Sequence, residues 1–216
     1  MENKYKDYFR DHYKSAFSEK DILNYQDWFY SQYRFIKSKI EPVGNILEIG
    51  SGLGGFFSLL PKENQKNYFG LELDADSVKF ANSYFRSAVF LNKSLEEFEP
   101  KNKFRIVYAF EVLEHLDNPI FGIRKISNFL ENDGIFIGSS PYPYKKNVLA
   151  DKTHNFVLHP KNWNRLFLNN GFKNVELFPM SFFPYLWRVN TNLNIRLPFY
   201  LPFKYFVSTC LIIAKK

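Results

Sequence analysis

A single cysteine, Cys210, stands in the 216-residue sequence, which excludes a disulfide framework and a multi-cysteine zinc site. No apolar run approaches the ~18 residues of a membrane-spanning helix. The opening Met1-Glu2-Asn3-Lys4-Tyr5-Lys6-Asp7 lacks the apolar stretch of a secretory signal. A cytoplasmic protein is the plain expectation. Internal repeats and low-complexity linkers are missing as well, so one domain over residues 1–216 is expected, with 1–40 as an N-terminal helical segment. Hydrophobic residues at 45% and charged residues at 24% argue against wholesale disorder. Lys and Arg outnumber Asp and Glu by 29 to 22, a net charge of +7. That charge suits an anionic partner (nucleic acid, a phosphorylated substrate or a lipid head group) or simply keeps an aromatic-rich chain in solution.

Tyr25, Phe29, Tyr33, Ile36 and Ile40 recur at steps of three or four, which is the spacing of one helix face, and Pro42 with Gly44 ends the pattern. Strand and helix signals then alternate. Residues 45–49, 68–73, 89–91, 105–110, 134–138, 173–178 and 207–214 read as strands. Helices are expected over 76–85, 119–130 and 161–170, the last closed by Gly171. A glycine loop, 50–55, leads into the apolar run 56–60. Such alternation implies an α/β fold with a doubly wound, mainly parallel sheet, whose ligand lies beyond the strand C-termini.

The first strand therefore aims at the site, and it reads Ile46-Leu47-Glu48-Ile49 before Gly50-Ser51-Gly52-Leu53-Gly54-Gly55. Gly50, Gly52 and Gly55 satisfy G-x-G-x-x-G, a match that is weak alone. Glu48 narrows it. A pyrophosphate gains nothing from a carboxylate two residues before the first glycine, whereas the ammonium of S-adenosylmethionine does. Glu72, ending the next strand, is placed to accept hydrogen bonds from ribose hydroxyls.

To these blocks the sequence adds Phe110-Glu111-Val112-Leu113-Glu114-His115, and Thr153-His154 leading to His159-Pro160 and Gly171-Phe172. With them the chain from position 45 to 216 resembles the class I S-adenosylmethionine-dependent methyltransferases, in the broad group that includes the ubiquinone-biosynthesis O-methyltransferases. The resemblance implies a Rossmann-like sheet of seven strands in the order 3-2-1-4-5-7-6, the last antiparallel. It places Glu48, Gly50, Ser51 and Gly52 around the methionine moiety and Glu72 on the ribose. It also places Leu73 against the adenine, Ser94 and Leu95 at the adenine border, and Phe110 at the sulfonium. In such families an Asp usually stands where Ser94 does, and another where Arg105 does.

The nature of the acceptor follows by elimination. Cytosine C5 chemistry needs a thiolate, and Cys210 sits in the last strand. The Asn/Asp-Pro-Pro-aromatic signature of exocyclic-nitrogen enzymes is replaced by Phe110-Glu111-Val112-Leu113. Oxygen of a small or lipid-linked molecule is the favoured acceptor, and 2′-O-methylation of RNA is the runner-up. If a helical turn begins at Glu111, Glu114 and His115 share its face, and His154 arrives from the loop after the fifth strand. Two carboxylates and two imidazoles form a candidate divalent-metal site, with His154 and His115 as the candidate catalytic bases. The same Glu-x-x-Glu-His pattern with a later His resembles that of small-RNA 3′-end 2′-O-methyltransferases. Finally, 178–206 is an aromatic, proline-rich insert containing Trp187 and Arg188. It is expected to serve as a substrate lid, a dimer interface or a peripheral membrane contact.

Overall fold

The first helix among the described residues, α1 (Glu19–Lys37), starts where the Asp21 carboxylate accepts from both the backbone N–H and the hydroxyl of Ser18. Its buried face carries Ile22, Tyr33 and Ile36. The computed structural model describes residues 17–41, 43–144, 146–183, 186, 189, 195–201 and 206–216, in two compact units, Met1–Glu99 and Pro100–Lys216. Tyr25 lies on α1, but its side chain is outside the description, as is Pro42.

In the first unit, β1 (Ile46–Ile49) runs into the glycine loop and a single 3₁₀ turn, Phe57–Leu59, because Pro61 stops the apolar run there. A short α2 (Lys62–Gln65) leads to β2 (Tyr68–Glu72), α3 (Ala75–Tyr84) and β3 (Val89–Asn92). The strands pair in parallel in the order β3-β2-β1, with Glu48 opposite Gly70 and Glu72 opposite Asn92. Every residue of β1 is buried, as expected of a parallel strand covered on both faces. Phe57 packs its ring on Tyr68, Phe85 and Phe90, with centroids 4.7, 5.0 and 5.8 Å away, so much of the aromatic content is core.

Gly70 is the tight point of this unit. A Cβ there meets Phe90 Cδ1 at 2.7 Å and Ser51 Oγ and Cβ at 2.7 and 2.8 Å. Gly70→Ala is therefore expected to cost ~1–3 kcal/mol by overpacking and to push Ser51 and the loop out of place. Thermal unfolding and a cofactor titration check both effects.

The second unit contains β4 (Phe104–Phe110), a 3₁₀ turn (Leu113–His115), α4 (Pro119–Phe129), β5 (Leu130–Pro141), α5 (Lys146–Ala150), α6 (Pro160–Leu168), β6 (Asn174–Phe182), β7 (Arg196–Leu197) and β8 (Val207–Lys215). Asn118 caps α4 by accepting from Phe121 N, and Pro119 occupies the first turn, where its missing N–H is not needed. The strand order is β4-β5-β8-β6-β7, with β4 and β5 parallel and every other pair antiparallel. The runs β3-β2-β1 and β4-β5-β8-β6 match the order expected from the resemblance, with the last long strand lying between β5 and β6. The difference is β7, a two-residue edge strand within the segment read as an insert. That segment is also shorter than expected, because β6 continues through Phe182. Trp187, Arg188, Tyr185, Phe203, Lys204 and Tyr205 lie outside the described residues. No helix among the described residues is long and apolar enough to cross a membrane.

Candidate active site

The glycine loop hangs from the end of β2. Gly50 N and Ser51 N both donate to Leu71 O, at 2.8 and 2.9 Å, and Gly54 N donates to Ser51 O. Gly50, Gly52 and Gly54 all adopt positive φ, +50° at Gly52, so side chains at these points are strained. Around the position of a Gly52 Cβ there is open space, so backbone and ligand can approach there.

Glu72 joins the loop to the start of α3. Its Oε2 accepts from Gly52 N at 2.9 Å, while Oε1 accepts from Leu73 N at 2.6 Å and Asp74 N at 3.0 Å. Burial pushes its pKa up, and these three bonds pull against that rise. Counting two lone pairs per oxygen, Oε2 keeps one acceptor site. Glu48 is buried on the same strand face as Tyr68, whose hydroxyl donates to its Oε2. Desolvation pushes Glu48 up to about 8, with the nearby Glu72 charge adding to the rise and the Tyr68 bond opposing it. The Ser51 hydroxyl is buried, and among the described residues it has no hydrogen-bond partner. Leu73 is partly exposed, whereas Leu95 points into the core, so at the 94–95 corner Leu95 offers only main chain to a ligand. Ser94 Oγ accepts from Glu97 N at 3.1 Å, so this hydroxyl is spent on a local turn. Among the described residues the Glu48 carboxyl meets no cation and the Ser51 hydroxyl no partner, and with the open space at Gly52 they suit a cationic nucleoside-bearing amino acid.

The second unit brings Glu114, His115 and His154 together, their ligand atoms all within 4.8 Å of one another. His115 and His154 face each other with ring centroids 4.8 Å apart. The docking is made by the segment after α5: Asn155 N and Phe156 N donate to Glu114 O, and Asn155 Nδ2 donates to His115 O and to Asp117 Oδ1. His115 Nδ1 lies 3.0 Å from Thr153 O and His154 Nδ1 lies 2.7 Å from Val148 O. A carbonyl only accepts, so Nδ1 is the donor in each ring, and in the neutral imidazole Nε2 then holds the lone pair. Glu114 is fully buried, and neither of its oxygens has a hydrogen-bond partner of ordinary geometry. Burial first, and then the Glu111 charge, raise its pKa well above the carboxylate range. Asp151, 3.8 Å from His154 Nε2, lies below the ordinary range: its partial burial is outweighed by bonds from Thr153 Oγ1 and N.

Glu111 acts on Glu114 through its charge but does not share its face. It precedes the 3₁₀ turn at φ +52°, so the shared helix face expected for Glu111, Glu114 and His115 does not form. Its Oε1 lies 2.7 Å from Thr209 Oγ1, whose one proton is shared with Ser140 O at 2.8 Å. Phe110 is buried at the end of β4 and stacks on Tyr108. Tyr68, Thr209, Asn155 and Asp151 escape the motif reading. Tyr68 lies two residues before Gly70, and the pairing of Gly70 with Glu48 brings it onto the face of Glu48.

The model of a methyltransferase domain family matches residues 31–177, more than half of the sequence. The chain belongs to this family. Solved structures agree in fold. An S-adenosylmethionine-dependent methyltransferase from Thermotoga maritima is 15% identical, with a TM-score of 0.71 over 98% of this chain and 97% of that one. A methyltransferase of the same cofactor class from Archaeoglobus fulgidus is 18% identical, with a TM-score of 0.68 over 98% and 100%. An N-methyltransferase from Bradyrhizobium japonicum is 12% identical, with a TM-score of 0.63 over 89% and 97%. No curated protein sequence matches. The methyltransferase is thus an α/β Rossmann-like enzyme that uses S-adenosylmethionine.

Proposed function

We propose that the protein transfers the methyl group of S-adenosylmethionine to an oxygen of a small or lipid-linked acceptor, readied by Glu114, His115 and His154. The observation that carries this reading is the tautomer of the two imidazoles. Each donates through Nδ1 to a backbone carbonyl, which leaves Nε2 of the neutral ring as the lone-pair atom beside the buried Glu114 carboxyl. In the cofactor half, Glu48 takes the ammonium, Gly50, Ser51 and Gly52 line the methionine, Glu72 takes a ribose hydroxyl and Leu73 packs on the adenine.

The acceptor oxygen attacks the methyl carbon, the carbon–sulfur bond breaks, and its electron pair goes to sulfur. The acceptor proton passes to His154 Nε2, which the nearby Asp151 carboxylate stabilises once charged. Oriented side chains and donors do most of the work, because the sulfonium is already a good leaving group. The set Glu114, His115 and His154 also fits a divalent ion, and both Nδ1–H···O=C bonds are the outer support that metal-ligating histidines use. Bound there, manganese, iron, cobalt or zinc would lower the pKa of the acceptor hydroxyl. A lipid-linked acceptor draws support from the exposed Val189, Ile195 and Phe199 before β8.

The test is transfer of labelled methyl into metabolite and lipid extracts, followed by identification of the labelled product. An alkali-stable methyl ether is the expected result. Label on nitrogen overturns the oxygen assignment, and label in RNA at low salt with loss at high salt overturns the small or lipid-linked acceptor.

A further inference from the structure

Gln32 lies in the middle of α1 with its side chain fully buried, and among the described residues neither Nε2 nor Oε1 has a hydrogen-bond partner. An amide in that state is costly, since burial removes its water and nothing replaces it. The adjacent Tyr33 hydroxyl is buried and unpartnered too. Gln32 comes three residues after Phe29 and four before Ile36, so it shares their helix face. That side of α1 lies against the residue that follows the glycine loop. The rings of Phe29 and Tyr33 meet Phe56 edge-on at 5.7 and 6.0 Å, directly after Gly55. A stretch built only to cover a core has no use for a carboxamide where Leu or Met would pack without loss.

We propose that Gln32 binds the amino-acid end of S-adenosylmethionine, Nε2 donating to its carboxylate and Oε1 accepting from its ammonium. A carboxamide is the side chain that offers one donor end and one acceptor end in a plane, which matches a zwitterion. The inference rests on the reading that the glycine loop and Glu48 hold the methionine moiety, and it adds α1 as the element that closes over it.

The experiment compares S-adenosylhomocysteine with 5′-methylthioadenosine by calorimetric titration. Both carry the nucleoside and the thioether, and only the first carries the amino acid. In Gln32→Leu, S-adenosylhomocysteine is expected to weaken tenfold to a hundredfold, the worth of a hydrogen bond to a charged group, while 5′-methylthioadenosine is unchanged. Gln32→Glu, nearly the same shape, should weaken the first ligand further by repelling its carboxylate, and it carries the comparison if the leucine variant does not fold. Equal losses for both ligands, or none with a higher melting temperature, overturn the proposal and make Gln32 a structural residue. Glu48→Gln separates the two layers. If that variant keeps full affinity for S-adenosylhomocysteine, the reading of the loop itself fails. If it weakens while the Gln32 variants do not, only the role of Gln32 fails.

Discussion

Glu48→Gln is expected to make the unliganded methyltransferase more stable above pH 7 and, in the same variant, to weaken S-adenosylmethionine about tenfold to a hundredfold. Both effects have one origin. Glu48 is fully buried, and its pKa in the folded chain is pushed up to about 8 from an ordinary 4.5. Below pH 4.5 the carboxyl is protonated folded and unfolded, so it costs nothing. Between 4.5 and about 8 the unfolded chain ionises while the folded one holds its proton, so stability falls as pH rises. Above about 8 the loss levels off, on the order of a few kcal/mol. Glutamine keeps the shape and has no charge to bury. The melting temperatures of parent and variant should therefore coincide near pH 4.5 and separate, variant higher, up to about pH 8. The ligand reverses the preference, because an ammonium needs the carboxylate. A variant that melts lower at every pH and binds cofactor normally shows that Glu48 serves only its bond to Tyr68.

If a divalent ion occupies Glu114, His115 and His154, a chelator is expected to abolish methyl transfer and added manganese to restore it; if His154 Nε2 alone takes the acceptor proton, chelation leaves turnover unchanged. Glu114→Gln, His115→Ala and His154→Ala should each lower turnover by about 10²-fold or more, on the scale of general acid–base and metal contributions. Affinity for S-adenosylhomocysteine should stay near that of the parent if these residues act on the acceptor, as proposed. Glu111→Ala should be milder, because its carboxylate is tied to Thr209 rather than to the cluster. Metal content after dialysis gives a readout that needs no acceptor. It should be close to one ion per chain in the parent and fall in the three cluster variants. If chelation changes nothing and only His154→Ala is severe, His154 works as a base without metal. Activities within a few-fold of the parent for all three variants remove the cluster from the chemistry.

The strand–helix alternation, the loop at Gly50, Gly52 and Gly54 and the caps at Asp74, Asn118 and His159 are written locally, in residues whose backbone preferences and hydrogen bonds act within a few positions. Glu48 was legible for a related reason, as an acid in a strand with apolar neighbours. Local pattern also misled. A shared face for Glu111, Glu114 and His115 assumed a helical start that the positive φ of Glu111 denies. What the tertiary structure alone decided involves partners far apart in the chain. His115 meets Thr153 across 38 positions, and Thr209 claims Glu111 across 98. Tyr68 reaches Glu48 only because two parallel strands pair in one register. Nothing in the helical pattern singles out Gln32; packing buries it, and among the described residues both its amide atoms are unsatisfied. Spacing along a chain carries the short-range terms of the free energy. Which polar groups end up paired or stranded depends on desolvation, which is set only when distant segments close over one another.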